Sequence, residues 1–234
     1  MEEFDQFKDT YSEKITEAIA FSGQSHDFYI RIKVNHLLNT IKRKLADQSS
    51  KQKTVRFLDV GCGHGLIHRY LKDHATFDID IYGIDPAATV IDFAKEQNPD
   101  FTYKINEGTS FPYEDNSFDI AHATCVMHHV EPAAWDDFLK EMKRVVRPGG
   151  QIFIYEHNPY NPVTRHLVNN CELDENAVLI SARNLARRMK STGLLRVKTE
   201  YIIFFPFNLQ IFRVFEKALT RIPLGAQYVS YAVV

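Results

Sequence analysis

Residues 57–65 read FLDVGCGHG, in which a short apolar run passes through an acid into a G-x-G-x-G cluster. The run belongs to a strand predicted over residues 55–60, and a helical pattern over residues 66–71 follows the last glycine. In a strand–loop–helix unit of this kind, glycines allow a ligand to approach the backbone at the N-terminus of the helix. The segment therefore predicts a ligand-binding loop at the end of a parallel strand.

The glycine spacing and the acid before it narrow the choice of ligand. Dinucleotide-binding loops use G-x-G-x-x-G, whereas here Asp59 stands two residues before Gly61 in a G-x-G-x-G cluster. A carboxylate at this position repels a pyrophosphate and attracts a ligand that carries ammonium and sulfonium charges. S-adenosylmethionine carries both charges, so the loop favours it and disfavours a nicotinamide dehydrogenase.

Strand-like and helical segments alternate outward from this loop. Further strands are predicted at residues 79–84, 101–105, 118–123, 151–155, 195–205 and 227–234. Helices are predicted at residues 135–146, ended by Pro148-Gly149-Gly150, at residues 207–220, and from the N-cap Ser181 to Gly193. This order predicts an α/β fold with a Rossmann-like, doubly wound sheet of about seven strands, mostly parallel with an antiparallel C-terminal edge.

The chain before the first strand has a different pattern. Residues 1–50 contain two amphipathic helical segments separated at Ser22-Gly23, and Leu37, Leu38, Ile41 and Leu45 mark the second. We interpret residues 1–50 as a helical cap or lid with a hinge at residues 21–24. Residues 51–234 are predicted to form the main domain.

Four ordered segments resemble the motifs of the class I S-adenosylmethionine-dependent methyltransferases, in particular their type 11-like domain. Residues 57–65 resemble motif I, and residues 82–86 (YGIDP) resemble the end of the second strand. Residues 107–113 (EGTSFPY) resemble the D-A-x-x-L-P-F segment, and residues 117–130 with 144–150 resemble the fourth strand and the turn before the fifth. The resemblance extends from about residue 55 to residue 158.

The resemblance implies a cofactor site for S-adenosylmethionine and its product S-adenosylhomocysteine. Asp85 corresponds to the acid that accepts hydrogen bonds from both ribose hydroxyls, and Glu107 to the acid that meets the adenine amino group, with Glu replacing Asp. We interpret Cys62 as a small buried residue rather than a reactive thiol. The expected cofactor-binding residues are Asp59, Gly61, Cys62, Gly63, Gly65, Asp85, Pro86, Glu107, Gly108 and Thr109.

The groups that act on the methyl acceptor are expected after strands four and five, because ligands in this architecture collect outside the carboxyl ends of the strands. His128, His129 and His157 are the candidate catalytic residues, since imidazole accepts a proton near neutral pH. Glu156 and Tyr160 are further candidates for orienting the acceptor.

Three other patterns are interpreted as structural. His122, Cys125 and His128 are spaced by odd numbers of residues, which places strand side chains on opposite faces, so no metal site is predicted. The segment 158–162 (NPYNP) is read as a turn made rigid by two prolines rather than as a signature of base-modifying amino-methyltransferases. The basic stretch 181–198 is read as a solvated helix face, with docking of an anionic acceptor or partner left open.

Composition limits the classes of partner. The net charge is −2, from 28 basic and 30 acidic residues, which provides no overall field for nucleic acid or an anionic membrane. The three cysteines are widely spaced, as expected for reduced thiols in the cytoplasm, and no membrane-spanning segment is predicted.

The expected function is methyl transfer to an O or N atom of a small molecule. A nucleic-acid methyltransferase and a non-catalytic cofactor-binding partner protein are the alternatives.

Overall fold

A computed structural model of the protein describes residues 23–46, 54–205 and 218–234, without the side chains of residues 44–46. The helices are α1 (His26–Ala46), α2 (Leu66–His74), α3 (Ala88–Gln97), α4 (Trp135–Val145), α5 (Pro162–Asn169) and α6 (Ala182–Ser191). The strands are β1 (Val55–Val60), β2 (Ile79–Asp85), β3 (Thr102–Ile105), β4 (Phe118–Thr124), β5 (Val146–His157), β6 (Leu195–Ile202) and β7 (Gln227–Val233).

The strands form one seven-stranded sheet in the order β3-β2-β1-β4-β5-β7-β6. The first five strands pair in parallel, and β7 is antiparallel to both of its neighbours. This confirms the predicted sheet with its antiparallel C-terminal edge. The strand order reverses between β1 and β4, which opens a crevice at their carboxyl ends.

Two cores cover the two faces of the sheet, because successive strand residues point to opposite sides. Phe57 packs in the core beneath α1 and α2, whereas the adjacent Leu58 packs in the core beneath α4 and α6. Both side chains are fully buried. The molecule is therefore a three-layer α/β/α structure with the crevice at one edge of the middle layer.

Helix α4 begins and ends close to the predicted residues. Trp135, Phe138, Leu139, Met142 and Val145 are buried along one face. Acidic residues occupy its first turn and basic residues its last turn, which complements the helix dipole. The apolar periodicity and the charges at both ends therefore indicate the same helix bounds.

The segment Pro148-Gly149-Gly150 differs from its prediction as a turn, because it lies inside β5. That strand begins at Val146, directly after α4, and its pairing with β4 shifts register between Phe118 and Ile120. Between these two pairs β5 has more residues than β4, and Gly149, with a φ of 81°, accommodates this bulge.

Helix α1 is continuous and belongs to the main core. Its residues Ile30, Val34, Leu37 and Ile41 are buried against the sheet. The predicted hinge at residues 21 and 22, the first amphipathic segment, and residues 207–217 of the predicted helix lie outside the described residues. Among the residues that are described, no helix is long and apolar enough to cross a membrane.

Candidate active site

A cavity of about 960 Å³ lies at the carboxyl ends of the parallel strands. Its lining comes from the glycine loop, residues 85–87, residues 106, 108 and 109, the exits of β4 and β5, and one side each of α1 and α5. This volume is at the upper end of the usual range for ligand sites, which is about 300–1,000 Å³. The cavity can therefore hold a cofactor together with a second molecule.

The glycine loop has the backbone conformation that only glycine adopts easily. Gly61 and Gly63 have φ values of 68° and 52°. A Cβ atom on Gly61 would lie 2.5 Å from Val126 Cγ2, whereas the corresponding direction from Gly63 is open within 4 Å. Gly61 thus allows close packing against the exit of β4, and Gly63 leaves the backbone open to a ligand.

Asp85 is fixed at the end of β2 by two backbone groups. Its Oδ2 accepts a hydrogen bond from the Gly63 N–H and its Oδ1 accepts one from the Ala87 N–H, both at 3.0 Å. Carboxylate oxygens have further lone pairs, so Asp85 can accept from neighbouring hydroxyl groups in this fixed orientation. This geometry fits the ribose role that the resemblance implies.

Asp59 lies beneath the loop in what we call the glycine-loop network: Tyr103, His68, Asp59, His122 and Thr124. The Tyr103 hydroxyl contacts His68 Nδ1 at 2.6 Å, and His68 Nε2 contacts Asp59 Oδ2 at 2.9 Å. His122 Nδ1 contacts Asp59 Oδ1 at 2.8 Å, and His122 Nε2 contacts the Thr124 hydroxyl at 2.9 Å. Asp59 and His122 are cross-strand partners in the sheet. The network therefore ties β1, α2, β3 and β4 together under the cofactor loop.

The network changes the interpretation of Asp59. Burial raises the pKa of the Asp59 carboxyl, but His122 and His68 outweigh burial and lower this pKa to about 2. The carboxylate is 4% exposed, and a histidine nitrogen contacts each of its oxygens. Asp59 is thus an ionised anchor within the network rather than the unpaired charge that the sequence argument assumed.

The adenine end of the expected site contains a residue that sequence reasoning missed. Glu107 is exposed and does not line the cavity, whereas Gly108, Thr109 and Asn106 do. Asn106 is 6% exposed; its Nδ2 donates to the Gly108 carbonyl at 2.7 Å, and its Oδ1 has no hydrogen-bond partner. A buried unpaired acceptor suits an amino group. Its sequence signal was a polar side chain directly after β3.

Of the remaining predicted cofactor-binding residues, Cys62 and Pro86 lie at the cavity wall, whereas Gly65 does not line the cavity. Burial raises the pKa of the Cys62 thiol well above its usual value. A Cβ atom on Gly65 would lie 2.6 Å from the Tyr103 hydroxyl. Cys62 is therefore a neutral thiol, and Gly65 is required for contact with the network.

Five ionisable side chains meet at the exits of β4 and β5; we call them the strand-exit cluster: His128, His129, Glu156, His157 and Asp174. Glu156 accepts from the Met127 N–H at 2.8 Å and contacts His128 Nδ1 at 2.5 Å. His128 Nε2 lies 3.3 Å from Asp174 Oδ1, and His129 Nε2 lies 3.5 Å from the same oxygen. The structure thus brings together all three predicted histidines and adds Asp174.

The cluster separates the three histidines by charge. Burial opposes the charged form of His128, yet Glu156 and Asp174 raise the pKa of His128 well above its ordinary value. Burial, and next the positive charge of His128, lower the pKa of His129 and of His157 to about 4. His128 is therefore cationic near neutral pH, and its two neighbours are neutral.

Tyr160, the turn at 158–162 and the basic stretch 181–198 were also singled out from the sequence, and of these only the turn reaches the cavity, through Asn161. Tyr160 is 69% exposed and is absent from the cavity lining, so the structure does not support it as an acceptor-orienting residue. The predicted turn at 158–162 is confirmed: Asn158 Oδ1 accepts from the Tyr160 N–H, and Asn161 caps α5 with Pro162 in its first turn. In the basic stretch, Arg188 pairs with Asp136 and lies over the Trp135 ring.

Comparison with known proteins supports the motif assignment. Residues 58–154 match the family model described as "Methyltransferase domain". The chain is 27% identical over 144 residues to a ubiquinone biosynthesis O-methyltransferase of Coxiella burnetii, covering 58% of this chain and 59% of that protein. It is 30% identical over 128 residues to phosphoethanolamine N-methyltransferase 3 of Arabidopsis thaliana, covering 51% of this chain and 25% of that protein. The chain thus spans about three fifths or less of these relatives.

Solved structures share the fold over nearly the whole chain. A SAM-dependent methyltransferase from Thermotoga maritima matches with a TM-score of 0.68 at 18% sequence identity. The match covers 99% of this chain and 98% of the Thermotoga chain. A Haemonchus contortus phosphoethanolamine N-methyltransferase, solved with S-adenosylhomocysteine, has a TM-score of 0.57 at 17% identity and covers 83% of this chain and 52% of its own. Residues 58–154 thus match a methyltransferase domain, and the likeness to these solved structures extends the same fold over nearly the whole chain.

Proposed function

We propose that the protein transfers the methyl group of S-adenosylmethionine to an O or N atom of a small-molecule acceptor. The observation that carries this proposal is one cavity lined by the glycine loop, Asp85 and four members of the strand-exit cluster: His128, His129, His157 and Asp174. The fifth member, Glu156, is fully buried and does not line it. Cofactor-binding geometry and groups able to move a proton thus share one enclosed space.

The cofactor half of the cavity fits an adenosyl ligand in three places. Gly63 leaves the loop backbone open, Asp85 offers oriented acceptor oxygens, and Asn106 Oδ1 is a buried acceptor without a partner. These groups match an amino-acid portion near the loop, a ribose diol and an adenine amino group, respectively. The cofactor would then direct its methyl group toward the exits of β4 and β5.

The acceptor half is largely apolar and is enclosed by helices. Ile30 from α1, Leu167 and Val168 from α5, and Ile203 after β6 line it, together with the cation Lys33. Apolar walls and one cation favour a small acceptor with a hydrophobic body and a polar or anionic end. The lining from α1 supports a covering role for this helix, whereas residues 1–22 and 47–50 of the predicted cap lie outside the described residues.

Methyl transfer requires alignment and, for a hydroxyl or ammonium acceptor, removal of one proton. The S–CH₃ bond breaks as the new O–CH₃ or N–CH₃ bond forms, and the leaving group is neutral S-adenosylhomocysteine. We assign proton acceptance to His129, because it is neutral and its side chain is 23% exposed at the cavity wall. His128 lacks this capacity, since carboxylates flank both of its ring nitrogens.

Binding and turnover test the proposal separately. We expect calorimetry to show that S-adenosylmethionine binds more tightly than NAD. Mass spectrometry of small-molecule acceptor pools should show a gain of one methyl group that depends on S-adenosylmethionine. Tighter NAD binding would refute the cofactor assignment, and cofactor binding without methylation of any small-molecule or nucleic-acid pool would favour the non-catalytic alternative.

A variant pair tests His129. His129→Ala should lower turnover by roughly 10²- to 10⁴-fold with almost unchanged cofactor affinity. The control His166→Ala removes an exposed histidine of α5 that does not line the cavity, and it should keep normal turnover. Normal turnover in both variants would mean that the acceptor reacts by alignment alone.

A further inference from the structure

The strand-exit cluster contains three groups in the arrangement of a metal site. One ligand atom from each of His128, His157 and Asp174 lies within 4.8 Å of the other two. His128 Nε2 and Asp174 Oδ1 are 3.3 Å apart. Zinc–ligand bonds of about 2.0–2.2 Å in tetrahedral geometry place donor atoms about 3–4 Å apart, so small side-chain shifts suffice to close the site.

The His128 ring is oriented so that its Nε2 atom can bind a metal ion. Glu156 Oε2 contacts His128 Nδ1 at 2.5 Å, and both side chains are about 1% exposed. The opposite nitrogen, Nε2, is buried, makes no hydrogen bond and lies 3.3 Å from Asp174 Oδ1. A metal ion bound there would replace the proton that the cationic ring carries on Nε2. A carboxylate that fixes one imidazole nitrogen while the other points to an ion is the usual outer arrangement of histidine metal ligands.

His157 has a similar support in Gln227, its cross-strand partner on β7. The Gln227 amide nitrogen lies 3.4 Å from both His157 Nδ1 and Cys125 Sγ, while the buried Gln227 Oε1 has no hydrogen-bond partner. Rotating this amide by 180° exchanges the two atoms and gives the oxygen a donor, the His157 Nδ1–H. His157 Nε2 then keeps its lone pair for a metal ion.

We propose that His128, His157 and Asp174 bind one divalent transition-metal ion of the zinc type, supported by Glu156 and Gln227. Two imidazoles and one carboxylate suit Zn²⁺, Fe²⁺ or Co²⁺ better than Mg²⁺ or Ca²⁺, which prefer oxygen ligands. Three protein ligands leave a coordination position open. All three residues line the cavity, so this position is accessible to an oxygen atom of the acceptor.

This role in acceptor binding rests on the proposed function, whereas the site itself does not. A bound ion would hold an anionic acceptor oxygen beside the cofactor and stabilise its deprotonated form. The pattern rejected from the sequence was a different one, since His122 belongs to the glycine-loop network. The donors here come from β5 and from residues 127–129 and 172–174, which the fold brings together.

Cobalt titration of the metal-free protein tests the site directly. After dialysis against EDTA, we expect Co²⁺ to bind at one equivalent with visible absorption typical of low coordination number, and Zn²⁺ to displace it. X-ray absorption of the cobalt protein should show two imidazole ligands. The proposal would be overturned if Co²⁺ bound only with a millimolar or weaker dissociation constant. It would also be overturned if the X-ray absorption spectrum showed no imidazole ligand.

Matched carboxylate variants locate the ion. Asp174→Asn should weaken Co²⁺ binding by at least roughly 100-fold, and Gln227→Ala by roughly 10-fold, as for outer groups that orient a ligand. Glu175→Gln removes an exposed carboxylate one residue away and should leave cobalt affinity unchanged. Equal affinity in Asp174→Asn and Glu175→Gln would refute the assignment, and circular dichroism verifies that each variant is folded.

Calorimetry with S-adenosylmethionine on the same samples separates the two proposals. Cofactor binding without cobalt binding would overturn the metal site and leave the methyltransferase proposal standing. Cobalt binding without cofactor binding would overturn the methyltransferase proposal and leave the metal site standing.

Discussion

The glycine-loop network and the strand-exit cluster both bury histidines against carboxylates, but they differ in how completely their polar atoms are paired. In the network, both oxygens of Asp59 and both nitrogens of each histidine have partners. In the cluster, the buried His128 Nε2 is without a hydrogen bond. A fully paired buried network stabilises a fold, whereas an incompletely paired one indicates a place for a ligand.

Removing the central acid from each region should produce the largest difference. Asp59→Ala leaves two buried histidines without their shared anion and should lower the free energy of unfolding by about 3–5 kcal/mol. Asp174→Asn should lower it by only about 1 kcal/mol, because Asp174 is partly exposed and retains a polar side chain. Urea unfolding measures both values, and similar losses would remove the distinction between the two regions.

Asp85 ends β2 and belongs to neither region, so it tests cofactor binding without the network. Asp85→Ala should weaken S-adenosylmethionine binding by about 1–3 kcal/mol, because the ribose hydroxyls lose an acceptor that is held in a fixed orientation. Asp80→Ala, on the exposed side of the same strand, should have no effect. Isothermal calorimetry gives both affinities, and equal binding by the two variants would contradict the ribose assignment.

The acid dependence of stability should report the network. The pKa of Asp59 falls from 3.8 to about 2 on folding. A lowered folded-state pKa adds stability above pH 3.8, here about 2 kcal/mol, and this stability disappears as the pH falls toward 2. Asp59→Asn should be less stable at neutral pH and should lose less stability between about pH 5 and 2. If the free energy of unfolding of the variant fell as steeply between about pH 5 and 2 as that of the wild type, other carboxyl groups would account for the acid dependence.

The smallest expected effect distinguishes two adjacent residues at the adenine end. Asn106→Ala should weaken binding of S-adenosylhomocysteine by about 1 kcal/mol, whereas Glu107→Ala should leave it unchanged. The Asn106 effect should disappear with S-inosylhomocysteine, which lacks the adenine amino group. The opposite ranking would restore the role that the family motif implies for Glu107.

The elements and the position of the cofactor loop could be predicted from local patterns. The helix at Trp135–Val145 follows from its apolar period, and the cap at Ser181 from its side-chain chemistry. Gly61 and Gly63 were identified by spacing alone, because a tight turn between strand and helix requires positive φ. The segment at Pro148 to Gly150 was mispredicted because a bulge within a paired strand has the same residues as a turn.

The sequence by itself determined where the glycine loop lies, which acid follows the second strand, and that histidines follow the fourth and fifth strands. These features depend on residues close together in the chain, whose spacing sets period, face and backbone conformation. Only the tertiary structure decided that His68 and His122 contact the two oxygens of Asp59, that Asn106 rather than Glu107 lines the cavity, and that Asp174 joins His128. Such contacts depend on sheet register and on loops that return over dozens of residues, and no local pattern encodes which distant side chains they bring together.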